Sequence, residues 1–167
     1  MRIAICPGSY NPVTRGHLNI IERSAALFDK VIAVVSFNAD KKYAFSAEER
    51  VQMLREVTGH LPNVEVDAYM GLVAEYARLK KASALVKGLR AVSDFEYEFQ
   101  MALINKKLNP ELETIFINTE MRFMYLSSSA VREIASFGGD LSAFIPPQIV
   151  AGIEERLRRP SSEIEGS

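Results

Sequence analysis

Short apolar runs rich in valine and isoleucine recur along the 167-residue chain and alternate with longer amphipathic stretches. The run Val31-Ile32-Ala33-Val34-Val35 contains no polar residue, which is typical of a strand buried on both faces of a sheet. Strands that alternate with helices in this way form a parallel sheet covered by the helices. The sequence therefore predicts an α/β fold with a doubly wound, five-stranded parallel sheet and helices on both faces.

The boundaries of the elements follow from where the apolar patterns start and stop. Ser46-Ala47-Glu48-Glu49 has the form of a capping box, so the second helix is predicted to begin directly after Ser46. The predicted strands are 2–6, 31–37, 64–69, 84–87 and 114–118. The predicted helices are 17–28, 47–58, 72–80, 94–108, 128–136 and 147–157. We expect one domain over residues 1–159 and a loose polar tail over 160–167.

Composition excludes several classes of protein. The formal net charge is −1, so no overall basic excess would attract nucleic acid. Cys6 is the only cysteine, which rules out an intramolecular disulfide. No apolar run approaches the roughly 18 residues of a membrane-spanning helix, and the chain enters its first strand directly after Met1. The sequence therefore predicts a cytoplasmic protein with neither a membrane nor a nucleic acid as its partner.

The first candidate site lies in residues 2–17, RIAICPGSYNPVTRGH. Here a strand ends at a Pro-Gly turn and a helix begins near His17, with Ser9 and Thr14 as further hydrogen-bond donors. In open α/β sheets, ligands bind beyond the carboxyl ends of the strands, and the amide groups at a helix start suit a phosphate. The segment therefore predicts a phosphate site; the alternative is a plain loop with a packed or capping histidine.

Two basic segments are expected at the same edge of the sheet. Lys41-Lys42 follows the second strand, and Lys87-Gly88-Leu89-Arg90 follows the fourth. Their cations could receive anionic substrates, whereas the alternative for Lys41-Lys42 is a pair of solvated surface lysines. Gly8, Gly16 and Gly88 lack a Cβ, so we expect the backbone there to approach an anion closely.

Three serines open the fifth predicted helix, in Tyr125-Leu126-Ser127-Ser128-Ser129. A helix start needs only one hydroxyl oxygen as a cap, so the other hydroxyls are expected to be free to bind phosphate. Capping alone is the alternative explanation for any single serine. His60 is expected at a helix end and is interpreted as structural.

Two motifs resemble those of a known family. Thr14-x-Gly-His17 resembles the phosphate-binding (His/Thr)-x-Gly-His element of the nucleotidyltransferase superfamily. The run RAVSDFEYE, from Arg90 to Glu98, is similar almost residue for residue to a segment of bacterial phosphopantetheine adenylyltransferases. The resemblance extends from Ile3 to about Leu157 and implies a Rossmann-like fold. It also implies transfer of an adenylyl group from ATP to 4′-phosphopantetheine in coenzyme A biosynthesis, with Mg²⁺ as cofactor and a homohexameric assembly.

The resemblance further assigns roles to individual residues. His17 is implied as the catalytic residue, which stabilises charge on the α-phosphate. The implied ATP-binding residues are Ser9, Tyr10, His17, Gly88, Leu89, Arg90, Glu98, Phe123, Met124, Tyr125, Leu126, Ser127, Ser128 and Ser129. The implied residues for the phosphopantetheine arm are Ser9, Lys41, Val73 and Lys87. No residue is implied as a metal ligand.

Two positions depart from the family pattern. Asn11 stands where an aspartate is usual, and Lys87 replaces the arginine of many members. The lysine keeps the positive charge but loses the planar fork of a guanidinium. We expect Asn11 to shape its loop through hydrogen bonds between side chain and backbone, because Asn and Asp both suit turns.

Other functions fit parts of the pattern. One is a related cytidylyl or adenylyl transfer, for example to glycerol phosphate or nicotinamide mononucleotide; others are an inactive nucleotide-binding module and a structural assembly protein. In the predicted helix 94–108, Tyr97 and Ile104 lie on one side while Phe99 and Leu103 lie on another. Such a helix needs a partner besides the sheet, which favours an oligomer, unless the C-terminal helices cover it within one chain.

Overall fold

Five parallel strands form one sheet in the computed structural model, which describes residues 1–37 and 41–159 apart from the side chain of Ser93. The strands are β1 (Ile3–Gly8), β2 (Lys30–Ser36), β3 (Val64–Tyr69), β4 (Ala84–Leu89) and β5 (Glu113–Asn118). Their order across the sheet is β3-β2-β1-β4-β5, and every neighbouring pair is parallel. The predicted α/β class with a doubly wound sheet is confirmed.

The described residues also form six helices and two short 3₁₀ turns. The helices are α1 (Arg15–Leu27), α2 (Ala47–Thr58), α3 (Val73–Leu79), α4 (Val92–Leu108), α5 (Ser128–Ser136) and α6 (Val150–Leu157), and the turns are Met121–Phe123 and Pro147–Ile149. All the predicted helices are present. The last one was predicted as a single helix from residue 147, but its first turn is 3₁₀ and carries a proline at the start.

The side chains of the central strands alternate between two apolar cores. Ile3 and Ile5 of β1 pack on the face covered by α3, whereas Ala4 and Cys6 pack on the opposite face. That opposite face is covered by residues of α1, α2, α5 and α6. Both faces of the central strands are thus buried, which explains why their sequences have no polar alternation.

The sheet opens between β1 and β4. These two strands pair only at Ala4–Ala84 and Ile5–Leu85, although β1 stays paired with β2 as far as Gly8 and β4 with β5 as far as Leu89. Both strands therefore run two residues further than predicted, and their carboxyl ends diverge. The strand order reverses at this point, where α/β sheets bind ligands.

Gly88 is required by packing at this opening. A Cβ on Gly88 would lie 2.9 Å from Cγ1 of Ile20 in α1, and one on Gly8 would lie 3.1 Å from the Tyr10 ring. We expected both glycines to make room for an anion. That expectation stays a prediction; the structure shows that a neighbouring side chain lies close to the position of an added Cβ at both glycines, whereas Gly16 has ordinary clearance, with 3.6 Å to its nearest neighbours.

All five strands of the described residues belong to a single sheet. The prediction of one domain over residues 1–159 stays a prediction. The predicted tail, 160–167, lies outside the described residues. No helix in the described part of the chain is both long and apolar enough to span a membrane.

We predict that Gly88→Ala destabilises the fold by about 1–3 kcal/mol, because the added methyl group overlaps Ile20 in a packed interior. The measurement is the urea unfolding midpoint. Gly152→Ala in α6 is the matched control, since no heavy atom lies within 4 Å of its added Cβ, and it should be neutral or stabilising by up to about 1 kcal/mol. Equal midpoints for the two variants would contradict the packing role of Gly88.

Candidate active site

A cavity of about 450 Å³ lies in the opening between β1 and β4. Its walls come from the carboxyl ends of these strands, the first two turns of α1 and α4, and parts of the segments after β1 and β5. The structure brings together here the predicted residues Tyr10, His17, Lys87, Gly88, Arg90, Glu98, Phe123 and Leu126. The other predicted residues lie outside the lining: Ser9, Lys41, Val73, Leu89, Met124, Tyr125, Ser127, Ser128 and Ser129.

A larger groove, of about 1190 Å³, lies between α2, the end of β3 and α6. It contains none of the predicted site residues, and its charged side chains are glutamates and arginines on the exposed faces of the two helices. Size alone would favour this groove as the site. The smaller cavity is the better candidate because it lies at the topological switch point and combines a histidine with two cations.

His17 is held by a capping box at the start of α1. Thr14 is the N-cap residue, and its Oγ1 accepts a hydrogen bond from the backbone N–H of His17 at 3.3 Å. In return, Nδ1 of His17 accepts the backbone N–H of Thr14 at 3.0 Å. A glutamate or glutamine normally makes this second bond. In the Thr14-x-Gly-His17 motif the imidazole ring takes its place.

The same bond fixes the tautomer of His17. Because Nδ1 accepts from a backbone amide, the ring proton lies on Nε2. Burial, followed by repulsion from Arg90 and Lys87, lowers the pKa of His17 from 6.5 to about 4. The ring is thus neutral near pH 7, and its Nε2–H is free to act as a donor toward the cavity.

Tyr10 supports the other side of the His17 ring. Its own ring meets that of His17 edge-on, with 5.2 Å between the centroids, and its hydroxyl donates to the Cys6 carbonyl at 2.8 Å. Tyr10 has φ of 45°, a left-handed conformation that costs a non-glycine residue about 1–2 kcal/mol. The buried ring and its hydrogen bond offset this cost, so the loop between β1 and α1 is held in one shape.

The cations of the cavity are each paired with a carboxylate of α4. Nζ of Lys87 lies 3.2 Å from Oε1 of Glu98, and Nε of Arg90 lies 3.1 Å from Oδ2 of Asp94. Arg90 also donates through Nη1 to the carbonyl of Leu126. We predicted positive charge at this edge of the sheet, and the structure adds two partners that neutralise part of it. An anionic ligand would have to compete with these partners.

The serines at the start of α5 make more hydrogen bonds within the protein than predicted. Oγ of Ser127 caps the helix by accepting the backbone N–H of Ala130 at 3.1 Å. Ser128 donates its hydroxyl to the carbonyl of Pro12 at 2.7 Å, and Ser129 accepts from Arg132 at 3.2 Å. The expectation of a free hydroxyl donor is wrong for Ser128, because its hydroxyl proton forms the hydrogen bond that connects α5 with the loop after β1.

Asn11 is buried and shapes its loop, as predicted. Its Oδ1 accepts the backbone N–H of Phe45 at 3.2 Å, and its carbonyl accepts from Nη1 of Arg132 at 2.6 Å. The side chain thus connects the loop after β1 with the segment that leads into α2. An aspartate could accept the same N–H, which accounts for either residue at this position.

Three further predicted residues lie away from the cavity. Lys41 is exposed and directly follows residues 38–40, which are outside the described part of the chain. Val73 is half-buried at the start of α3 and packs against the core beneath it. His60 is exposed and pairs with Glu22 at 3.1 Å, in agreement with its structural interpretation.

The described residues do not supply a dense set of metal ligands. Within residues 1–37 and 41–159, no group of three or more histidine, cysteine, aspartate or glutamate side chains could hold a metal ion. The two carboxylates in the cavity, Asp94 and Glu98, are occupied by cations.

Comparison with known proteins agrees with this geometry. The sequence model of the cytidylyltransferase-like family matches residues 5–134. A phosphopantetheine adenylyltransferase of Caldanaerobacter subterraneus is 57% identical over 159 residues, which cover 95% of this chain and 99% of that protein. One of Heliobacterium modesticaldum is 49% identical over 156 residues, with 93% of each chain covered. The chain belongs to the phosphopantetheine adenylyltransferase family.

A solved structure from Vibrio parahaemolyticus, described as a nicotinate-nucleotide adenylyltransferase, has the same fold as this member of the phosphopantetheine adenylyltransferase family. The TM-score is 0.69, and the match covers 94% of this chain and 92% of the other. Only 20% of the residues are identical, so the similarity bears on the fold alone.

The roles of two residues in this phosphopantetheine adenylyltransferase family member were missed. Thr14 was placed in the phosphate-binding motif as a donor, but its capping of α1 was not predicted, although a threonine three positions before a histidine at a helix start could have suggested the capping box. Arg50 was not recognised at all. Its position on the same helical stripe as Leu54 and Val57 indicates a buried side chain, and in the structure it reaches the loop after β1.

We predict that His17 in the free protein titrates with a midpoint at about pH 4, well below an ordinary histidine. The pKa is lowered, so the ring is neutral above this value and stability declines as the pH falls from about 6.5 toward it. The measurement is the pH dependence of the imidazole ring shifts by NMR, with His60→Asn to leave one histidine. A midpoint near 6.5 would show that the ring is neither buried nor repelled by cations.

Proposed function

We propose that this protein transfers the adenylyl group of ATP to the phosphate of 4′-phosphopantetheine and forms dephospho-coenzyme A and pyrophosphate. The observation that carries the proposal is the neutral His17 donor, which shares the β1/β4 cavity with the cations Lys87 and Arg90. The relatives of the same family and nearly the same length supply the identity of the acceptor.

His17 would donate its Nε2–H to an oxygen of the ATP α-phosphate. The capping box fixes the direction of this hydrogen bond before ATP binds, so little reorganisation is needed as charge develops. Arg90, Glu98 and the segment from Phe123 to Ser129 would hold the remainder of ATP. Because the ring is already neutral, this role requires no proton exchange with solvent.

The acceptor phosphate is the nucleophile in this proposal. One of its oxygens attacks the α-phosphorus in line, the new P–O bond forms, and the bond to the pyrophosphate oxygen breaks. Lys87 and Lys41 would offset the repulsion between the two anions, and Val73 would contact the pantetheine arm. The phosphate is ionised at neutral pH, so no general base is needed.

Cys6 is the strongest nucleophile type in the cavity wall, and its environment makes it unreactive. Burial raises the pKa of its thiol to about 11, although a contact with Ser24 and the charge of Lys87 act in the opposite direction. At neutral pH the thiol is therefore protonated and a poor nucleophile. This supports direct transfer without a covalent enzyme intermediate.

Magnesium would enter with ATP. The ion would bind to phosphate oxygens and neutralise part of their charge, and no protein residue is assigned as its ligand. The proposal fits the described residues, whose cavity carboxylates already have cationic partners. We also propose a cytoplasmic location, where ATP is available, with neither a membrane nor a nucleic acid as partner.

The test is pyrophosphate release with ATP and Mg²⁺ and a panel of acceptors. We predict release with 4′-phosphopantetheine and at least about 100-fold lower kcat/KM with glycerol phosphate or nicotinamide mononucleotide. Preference for another acceptor, or for CTP over ATP, would identify a related transfer. Binding of ATP without release for any acceptor would identify an inactive binding module.

We also propose that the chain is oligomeric, on the basis of its uncovered apolar surface, and that the oligomer is the homohexamer implied by the resemblance to its family. Tyr97, Leu103, Phe99 and Ile104 of α4 are 63%, 58%, 47% and 43% exposed. The C-terminal helices do not cover them: α5 and α6 pack on each other and against the core on the α1/α2 face of the sheet. An apolar surface of this kind is normally buried against a partner.

Light scattering tests the assembly at micromolar concentration. We predict a mass near six times the 18.7 kDa of one chain, and Leu103→Glu should dissociate the assembly because it places a charge on the uncovered face. Leu27→Glu is the matched control, since Leu27 is 56% exposed at the end of α1. A monomeric mass for the unmodified chain would reject the proposal.

A further inference from the structure

Arg50 is a buried cation in α2. Only 1% of its surface is exposed, and it is among the largest fully buried side chains of the described residues. Its hydrogen bonds go to main-chain carbonyls: Nη1 donates to Ser9 at 2.8 Å and Nε donates to Ser46 at 3.1 Å. Burial of a charge is costly unless its donors are satisfied, so these contacts indicate that the guanidinium has a specific task.

The same guanidinium lies over two aromatic rings. Its central carbon lies 4.1 Å from the centroid of the Tyr43 ring and 5.9 Å from that of Phe37. An arginine over an aromatic face at such distances is attracted to the ring, more strongly where water is excluded. Arg50 therefore contacts the ring of Tyr43 and, through a hydrogen bond, the carbonyl of Ser9.

These two contacts join the loops that carry the proposed substrate groups. Ser9 precedes Tyr10, whose ring supports His17, while Tyr43 comes two residues after Lys41. A second connection runs parallel to the first, because Oδ1 of Asn11 accepts the backbone N–H of Phe45. The loop after β1 and the loop before α2 are thus fastened to each other by Arg50 and Asn11.

We infer that Arg50 is a positioning residue for the acceptor phosphate: it sets the separation between the Lys41 loop and the His17 loop. The inference rests on the proposed function, in which these loops hold the two reacting phosphates. A lysine could not replace Arg50, because an ammonium group has neither a planar face for Tyr43 nor a fork that reaches two carbonyls.

The expected effect is a split between the two substrates. In Arg50→Lys, KM for phosphopantetheine should rise about tenfold and kcat should fall about 10- to 100-fold, because a shift of about 1 Å misaligns the attacking oxygen. The Kd of ATP alone should change less than about threefold, since Thr14 and Cys6 still anchor the loop around His17.

The experiment combines steady-state kinetics for both substrates with calorimetric titration of ATP in the absence of acceptor. Arg55→Lys is the matched control, because Arg55 is exposed on the same helix, and it should behave like the unmodified protein. Tyr43→Leu removes the aromatic face but keeps Arg50 and the carbonyls of Ser9 and Ser46 to which it donates, and it should raise the phosphopantetheine KM in the same direction.

The outcomes separate the inference from the proposed function. No pyrophosphate release by the unmodified protein with phosphopantetheine would reject both. Release by the unmodified protein, together with unchanged kinetics for Arg50→Lys, would reject the positioning role alone, as would equal losses in ATP binding and phosphopantetheine KM. If Arg50→Lys fails to fold, an unchanged phosphopantetheine KM in Tyr43→Leu overturns the inference.

Discussion

The candidate site depends on the early end of the pairing between β1 and β4. Each strand remains hydrogen-bonded to its outer neighbour for its full length, so the two carboxyl ends diverge without leaving the sheet. The ends of these two strands line the resulting cavity, and their pairing with β2 and β5 fixes the shape of the backbone there. α1 begins beside it, which places the capping box of Thr14 and His17 at the wall rather than on a free loop. Rigid elements thus hold the groups that would contact ATP.

The electrostatics of the cavity favour stabilisation of charge over proton transfer. His17 is kept neutral by burial and by the nearby cations, and its single donor is directed by Thr14. Lys87 and Arg90 are oriented by Glu98 and Asp94 before any ligand binds. Such preorganised donors act where charge develops in a transition state and need no rearrangement of solvent. The cost is competition, because a ligand phosphate must displace the carboxylates from these cations or share the cations with them.

The sequence predicts the fold well because the relevant signals are local. The apolar run of β2 and the capping box at Ser46 each depend on a few neighbouring residues, and the structure contains both. What the sequence could not reveal depends on contacts between distant residues. Ser128 donates to Pro12 across 116 positions, Arg50 reaches Ser9 across 41, and Glu98 faces Lys87 only because α4 packs beside β4. The motifs predicted which loops meet, but not which of their donors already form hydrogen bonds within the protein.

In the proposed function, the preorganised cavity carries out the adenylyl transfer directly, without a covalent enzyme intermediate. The most direct test is the stereochemistry at the α-phosphorus, measured with one diastereomer of ATP that carries sulfur at that position. A single in-line attack by the acceptor phosphate inverts the configuration, so we predict an inverted phosphorothioate in the dephospho-coenzyme A product. Retention of configuration would require two displacements and hence a nucleophile of the protein, and it would rule out direct transfer.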